Sequence, residues 1–138
     1  MAYVAFYYQT PYTQIMEENK LSAPFGHHLM VEIYNCPLEV LDDANVAYKV
    51  LDELPGKIGM HKLTLPYVVR AVGNDHKDPG GWSGFVIIEE SHIALHTFAK
   101  RGFVTLDVYT CKEQFDTEVT LQFFKDTFKS EDIEFKIE

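Results

Sequence analysis

Between Gly81 and Cys111 the chain reads GWSGFVIIEESHIALHTFAKRGFVTLDVYTC, a stretch that gathers hydroxyl, imidazole and thiol groups. Ser91 follows Ser83 by eight residues, His96 follows Ser91 by five, and Cys111 follows His96 by fifteen. A hydroxyl beside an imidazole can do nucleophilic chemistry, because an ordinary imidazole, with a pKa of about 6.5, takes and gives protons near neutrality. A thiol can add a proton donor. Each residue also has a plainer reading. Ser83 next to Gly84 suits a turn, His92 or His96 on a strand suits a hydrogen-bonded histidine, and Cys111 suits a small apolar filler. The spacing places Ser91 and His96 near one hairpin, where hydroxyl and imidazole could meet.

The elements that must position these residues follow from the hydrophobic pattern. His28 to Cys36 is rich in apolar and β-branched residues and predicts a strand that Pro37 stops. Leu38 to Leu54 predicts a helix with Leu41, Ala44, Tyr48 and Leu51 on one face, ended by Pro55-Gly56. A strand is expected from about His61 to Val72, bent at Pro66, and the Gly, Pro and Asp content from Gly73 to Gly84 reads as a loop. Strands follow at 85–89, 92–98 and 103–109. Thr117 to Phe128 predicts a helix with Asp116 as N-cap. Alternation from Ile133 to Ile137 predicts a last strand with one wet face. Hairpin-length connections in the middle give an α+β, two-layer α/β sandwich, a mainly antiparallel sheet with two helices on one face. The adjacent His27 and His28 fall on opposite faces of their strand and carry no metal-ligand signal.

The 138 residues suit one domain, read as 26–138 behind an N-terminal arm over 1–25. That arm carries Tyr3, Phe6, Tyr7, Tyr8 and Tyr12 without a period, and reads either as packed on the domain or a partner chain or as a free tail. A net charge of −9 excludes a nucleic-acid binder. No apolar run reaches membrane-spanning length. The N-terminus lacks the marks of a signal or transit peptide, so the expectation is a cytoplasmic protein with Cys36 and Cys111 as reduced thiols, although the sequence itself leaves their pairing open.

The segment GHHLMVEIYNC, Gly26 to Cys36, resembles the opening strand of bacterial and archaeal S-adenosylmethionine decarboxylases. The segment from Trp82 to Cys111 resembles the self-processing core of the same family in the order and spacing of its Ser-Gly, Glu-Ser-His, His-Thr and Thr-Cys elements. The resemblance implies a pyruvoyl-dependent decarboxylase made as a proenzyme that cuts itself between Glu90 and Ser91, giving chains 1–90 and 91–138. Ser91 would attack the Glu90 carbonyl to form an ester. β-Elimination would then break the ester and leave dehydroalanine, which hydrolyses to a pyruvoyl group able to form a Schiff base with substrate. His96 resembles the acid–base residue of processing, Ser83 its helper, and Cys111 the proton donor after carbon dioxide leaves. Neither pyridoxal phosphate nor a metal is implied. The expected partners are a small amino-acid substrate and a second copy, as a homodimer.

One position departs from the family. The turn after His-Thr usually carries a Pro-Glu pair whose Glu accepts from the ribose of S-adenosylmethionine; here Ala99-Lys100 stands there. Lys has donors only. Lys100 is therefore a candidate for substrate specificity, unless it faces water or Asp75 or Asp78 takes over the acceptor's part. S-adenosylmethionine, feeding aminopropyl groups to spermidine synthesis, is the expected substrate. L-Ornithine or L-arginine is the alternative, and a non-cleaving regulatory relative is a third reading.

Overall fold

A computed structural model describes residues 25–74, 79–112 and 115–138. The arm expectation over 1–25 falls outside these residues except for the exposed Phe25, and so do Asp75 and Asp78. The elements run β1 (His27–Ile33), α1 (Leu38–Leu41), α2 (Ala44–Lys57), β2 (Tyr67–Ala71), β3 (Gly81–Ile88), β4 (Ser91–Phe98), a 3-10 turn (Ala99–Arg101), β5 (Phe103–Thr110), α3 (Thr117–Phe128) and β6 (Ile133–Ile137). The strands form one sheet in the order β2-β3-β4-β5-β1-β6, with every pairing antiparallel. The α+β two-layer sandwich is as the sequence predicts. No helix among the described residues is long and apolar enough to cross a membrane.

Strand alternation divides the sheet into two faces. Leu29, Val31 and Ile33 of β1, Val86 and Ile88 of β3, Ile93 and Leu95 of β4, and Val104, Leu106 and Val108 of β5 are buried toward the helices. They meet Leu51 and Leu54 of α2 and Phe124 and Phe128 of α3 in one core. Gly84 faces this layer, and a Cβ there would lie 2.8 Å from Leu51 Cδ1 and 2.7 Å from the Tyr67 carbonyl oxygen. The missing side chain lets α2 lie close to the sheet. Among the described residues the opposite face is uncovered, an open face that carries Ser83, His92, His96, Thr105 and Asp107.

The expected helix over 38–54 is two helices. Asp43 breaks it by adopting an extended backbone and accepting from the Asn45 N–H at 2.8 Å, which caps α2 afresh. The break shifts the phase. The buried stripe is Ala47, Val50, Leu51 and Leu54, while Tyr48 is exposed. Nor does Pro55 end the helix. It sits in the last turn, which closes by the Ile58 N–H donating to the Leu54 carbonyl. The strand expected over 61–72 shortens to β2, beginning after Pro66, with an isolated bridge from Lys62 to Ile88 before it. Conversely, β3 begins at Gly81, inside the expected loop, where the Trp82 N–H donates to Thr97 Oγ1 at 2.9 Å. Asp116 caps α3 through the Val119 N–H at 2.9 Å, as expected.

Candidate active site

The turn between β3 and β4 holds Glu89 and Glu90, and Ser91 opens β4 opposite Ile88. The end of β5 runs alongside, because His92 pairs with Tyr109. This register brings Cys111, just past β5, against the turn. The Ser91 hydroxyl contacts the Glu90 carbonyl oxygen. The Cys111 N–H donates to Ser91 Oγ at 3.1 Å, and the Cys111 thiol donates to the same Glu90 oxygen at 3.0 Å. Ser91 Oγ and Cys111 Sγ stand 3.8 Å apart. A nucleophile, the carbonyl beside it and a donor to that carbonyl thus meet at one place, the arrangement for polarising a carbonyl under attack.

Ser83 and His96 form a second group. They are cross-strand partners on the open face, and Ser83 Oγ lies 2.8 Å from His96 Nδ1. His96 lines a shallow hollow of about 510 Å³ with Met30, Ala94, Thr105, Asp107 and Lys136. Ser91 and His96 both lie on the β3–β4 hairpin, as the sequence places them, but their hydroxyl and imidazole do not meet within the chain. They lie five residues apart on a single strand, about 16 Å at a strand's rise of about 3.3 Å per residue. His96 instead faces Ser83, near the start of β3. Lys100 is exposed on the 3-10 turn, beyond the end of β4 opposite to Ser91.

Both cysteines are free. Burial, helped by the charge of Asp132, pushes the Cys36 thiol up to about 11, and its contacts are the Ile33 and Tyr34 carbonyls. Cys111 is the more accessible thiol. A further cluster, unforeseen in the sequence, lies on the open face beside Cys111: His28 Nε2 is 2.7 Å and His92 Nε2 3.6 Å from the same Asp107 oxygen. It is assembled from β1, β5 and β4, and only the register of three strands reveals it.

Fold and site together define the class, a two-layer α+β sandwich whose serine and cysteine converge on a hairpin carbonyl while a serine–histidine pair waits on the open sheet face. The family model described as S-adenosylmethionine decarboxylase matches residues 27–137. Relatives named "S-adenosylmethionine decarboxylase proenzyme" include one from Pyrococcus horikoshii, 36% identical over 106 residues, covering 77% of this chain and 71% of the relative. Another, from Acetivibrio thermocellus, is 32% identical over 105 residues, covering 76% and 79%. The crystal structure of an adenosylmethionine decarboxylase from Aquifex aeolicus shares the fold at a TM-score of 0.69 and 19% identity, covering 85% of this chain and 91% of that one. This chain belongs to the S-adenosylmethionine decarboxylase family.

Proposed function

We propose that the chain is a carboxy-lyase that removes carbon dioxide from S-adenosylmethionine after cutting itself between Glu90 and Ser91. The observation that carries this reading is the convergence of Ser91 Oγ and the Cys111 thiol on the Glu90 carbonyl. Addition of the hydroxyl to that carbonyl moves the acyl group from nitrogen to oxygen. The thiol donor stabilises the negative charge that develops on the Glu90 oxygen, and the Cys111 N–H fixes the attacking oxygen. Loss of the Ser91 α-proton then breaks the bond between its Cβ and the ester oxygen and frees the Glu90 carboxylate. Water completes the change, with release of ammonia. The residues present fit a pyruvoyl group, since Ser91 supplies its carbons and Cys111 stands at hand. Such a group provides the electron sink that decarboxylation of an amino acid needs. Around it, Cys111 holds a proton for the carbon that loses carbon dioxide, and His96 with Ser83 moves protons during processing.

We further propose a homodimer. A histidine about 16 Å from Ser91 along its own strand cannot serve that serine, whereas a second chain laid on the open face could bring its own Ser83–His96 pair there. The same face leaves Tyr67, Val69, Phe85 and Ile87 exposed, a patch that gains by burial. Lys100, at the far end of β4, would reach the chemistry only by this route. Two thiols kept free suit a reducing, cytoplasmic setting.

The relatives described above are named for S-adenosylmethionine, which ranks ornithine and arginine below it. Carbon dioxide release from the three compounds, measured side by side on the cleaved protein, tests the substrate. Release from S-adenosylmethionine far above the other two is expected; preferential release from ornithine or arginine overturns the assignment.

A further inference from the structure

The cut creates a mechanical problem. Before it, Ser91 is held from both sides by the β3–β4 turn. Afterwards the residue that carries the chemistry becomes a chain end, and chain ends fray unless tied down. It must nevertheless stay beside Cys111. Backbone pairing of β4 with β3 and β5 supplies part of the hold. The first open-face side chain after the cut is His92, and its surroundings supply more. The His92 ring stacks on Tyr109 with centroids 5.9 Å apart and planes at 22°. Its Nε2 lies 3.6 Å from Asp107 Oδ1. Asp107 is held in turn by His28 Nε2 at 2.7 Å, and the His28 ring meets Tyr109 edge-on at 6.0 Å. Two histidines from different strands therefore flank Tyr109, two residues before Cys111, and share the carboxylate of Asp107, four residues before it.

We infer that Asp107 and His92 form an anchor for the new chain end, holding the Ser91-derived group against Cys111 once the turn has been cut. Asp107 is a positioning residue that acts through His92; neither is needed for the cut, which occurs while the turn still restrains Ser91. The inference rests on the proposed self-processing. It makes a prediction that a merely structural role does not, because loss of the anchor affects the protein after cleavage and not before.

The test uses Asp107→Asn and His92→Ala in the full chain, with three readouts. The rate of appearance of the 91–138 chain on a denaturing gel is expected to stay within about twofold of the natural protein. Amide hydrogen exchange at His92 to Ala94 of the cleaved protein, followed by NMR, is expected to quicken by about two- to fivefold in Asp107→Asn, the range for loss of one modest polar contact, and by about tenfold in His92→Ala, which also loses the ring stack. Turnover is expected to lose kcat several-fold with KM little changed. In the double variant the effects should be less than additive, since the two residues act as one unit. Unchanged exchange and kcat in both variants overturn the anchor while leaving the self-processing reading intact. Cleavage slowed as much as turnover also overturns it, by assigning the cluster to the fold. Failure of the natural protein to cleave at all is a separate outcome, which removes the reading on which the anchor rests.

Discussion

In the proposed self-processing the attacking oxygen, of Ser91, and the carbonyl beside it belong to neighbouring residues, so the chain would supply both reactants at a fixed separation. What the rest of the protein adds is polarisation of that carbonyl, from the Cys111 thiol, and orientation of the serine oxygen, from the Cys111 N–H. Removing the thiol should therefore slow the cut as well as turnover. A net hydrogen bond of about 1 kcal/mol corresponds to roughly fivefold, so Cys111→Ala should cleave about fivefold more slowly yet reach completion, as followed by gel. Its turnover should fall much further, because the thiol proposed to give a proton to the substrate carbon is gone. Natural rates of both steps would reduce Cys111 to packing. The types and spacing of Ser83, Ser91, His96 and Cys111 are visible in the sequence, and so is their family. The contact between Cys111 and the Glu90 oxygen is not, because it depends on β5 running past the turn in one register. For the same reason the sequence leaves open a meeting of His96 with Ser91 that the single chain does not make. Five residues form a short link in a turn but a long one in a strand.

Among the elements, β1, β4, β5, β6 and α3 were legible because alternation and capping are local signals, whereas β2 is shorter and β3 longer than the pattern predicts. The phase of α2 was not, because Asp42-Asp43 breaks the pattern at a point where helical periodicity alone sees continuity. Gly84 shows how a motif residue can serve packing. Its neighbour Ser83 faces the open side, while Gly84 makes room for Leu51. Gly84→Ala should destabilise the fold by about 1–3 kcal/mol through overpacking, read as a lower denaturation midpoint with unchanged slope. Cys36 offers a test by pH. Its folded thiol is raised to about 11, so the buried neutral form stabilises the fold. That contribution is full below the unfolded value, about 8.5, and is lost as pH rises through about 11. Between those limits the natural protein should lose stability more steeply than Cys36→Ala in denaturant melts; parallel curves would count against the burial of this thiol.

At the scale of the molecule, the described residues form one sheet covered by helices on a single side, and the groups assigned to one reaction lie at separate places on it. The strand order has β1 between β5 and β6. Local pattern does not reveal that arrangement, which takes the whole chain to satisfy the hydrogen bonds of the sheet. The proposed homodimer would resolve both features, and sedimentation at micromolar concentration should give twice the chain mass; a clean monomer with full activity would contradict it. Lys100 belongs to this scale too. If a partner brings it to the ribose, Lys100→Glu restores an acceptor and should raise kcat/KM for S-adenosylmethionine by about tenfold, because an unpaired hydroxyl costs about 1–3 kcal/mol. Cleavage should not change. An unaltered kcat/KM would place Lys100 in solvent.

Self-cleavage is a single covalent event, and intact-mass spectrometry of the purified protein reads it directly. The expected spectrum has two chains, 1–90 and 91–138, the second beginning with a pyruvoyl group in place of serine, and Ser91→Ala gives one uncut chain. A natural protein that remains a single chain of 138 residues after long incubation would contradict the account, whatever else it binds.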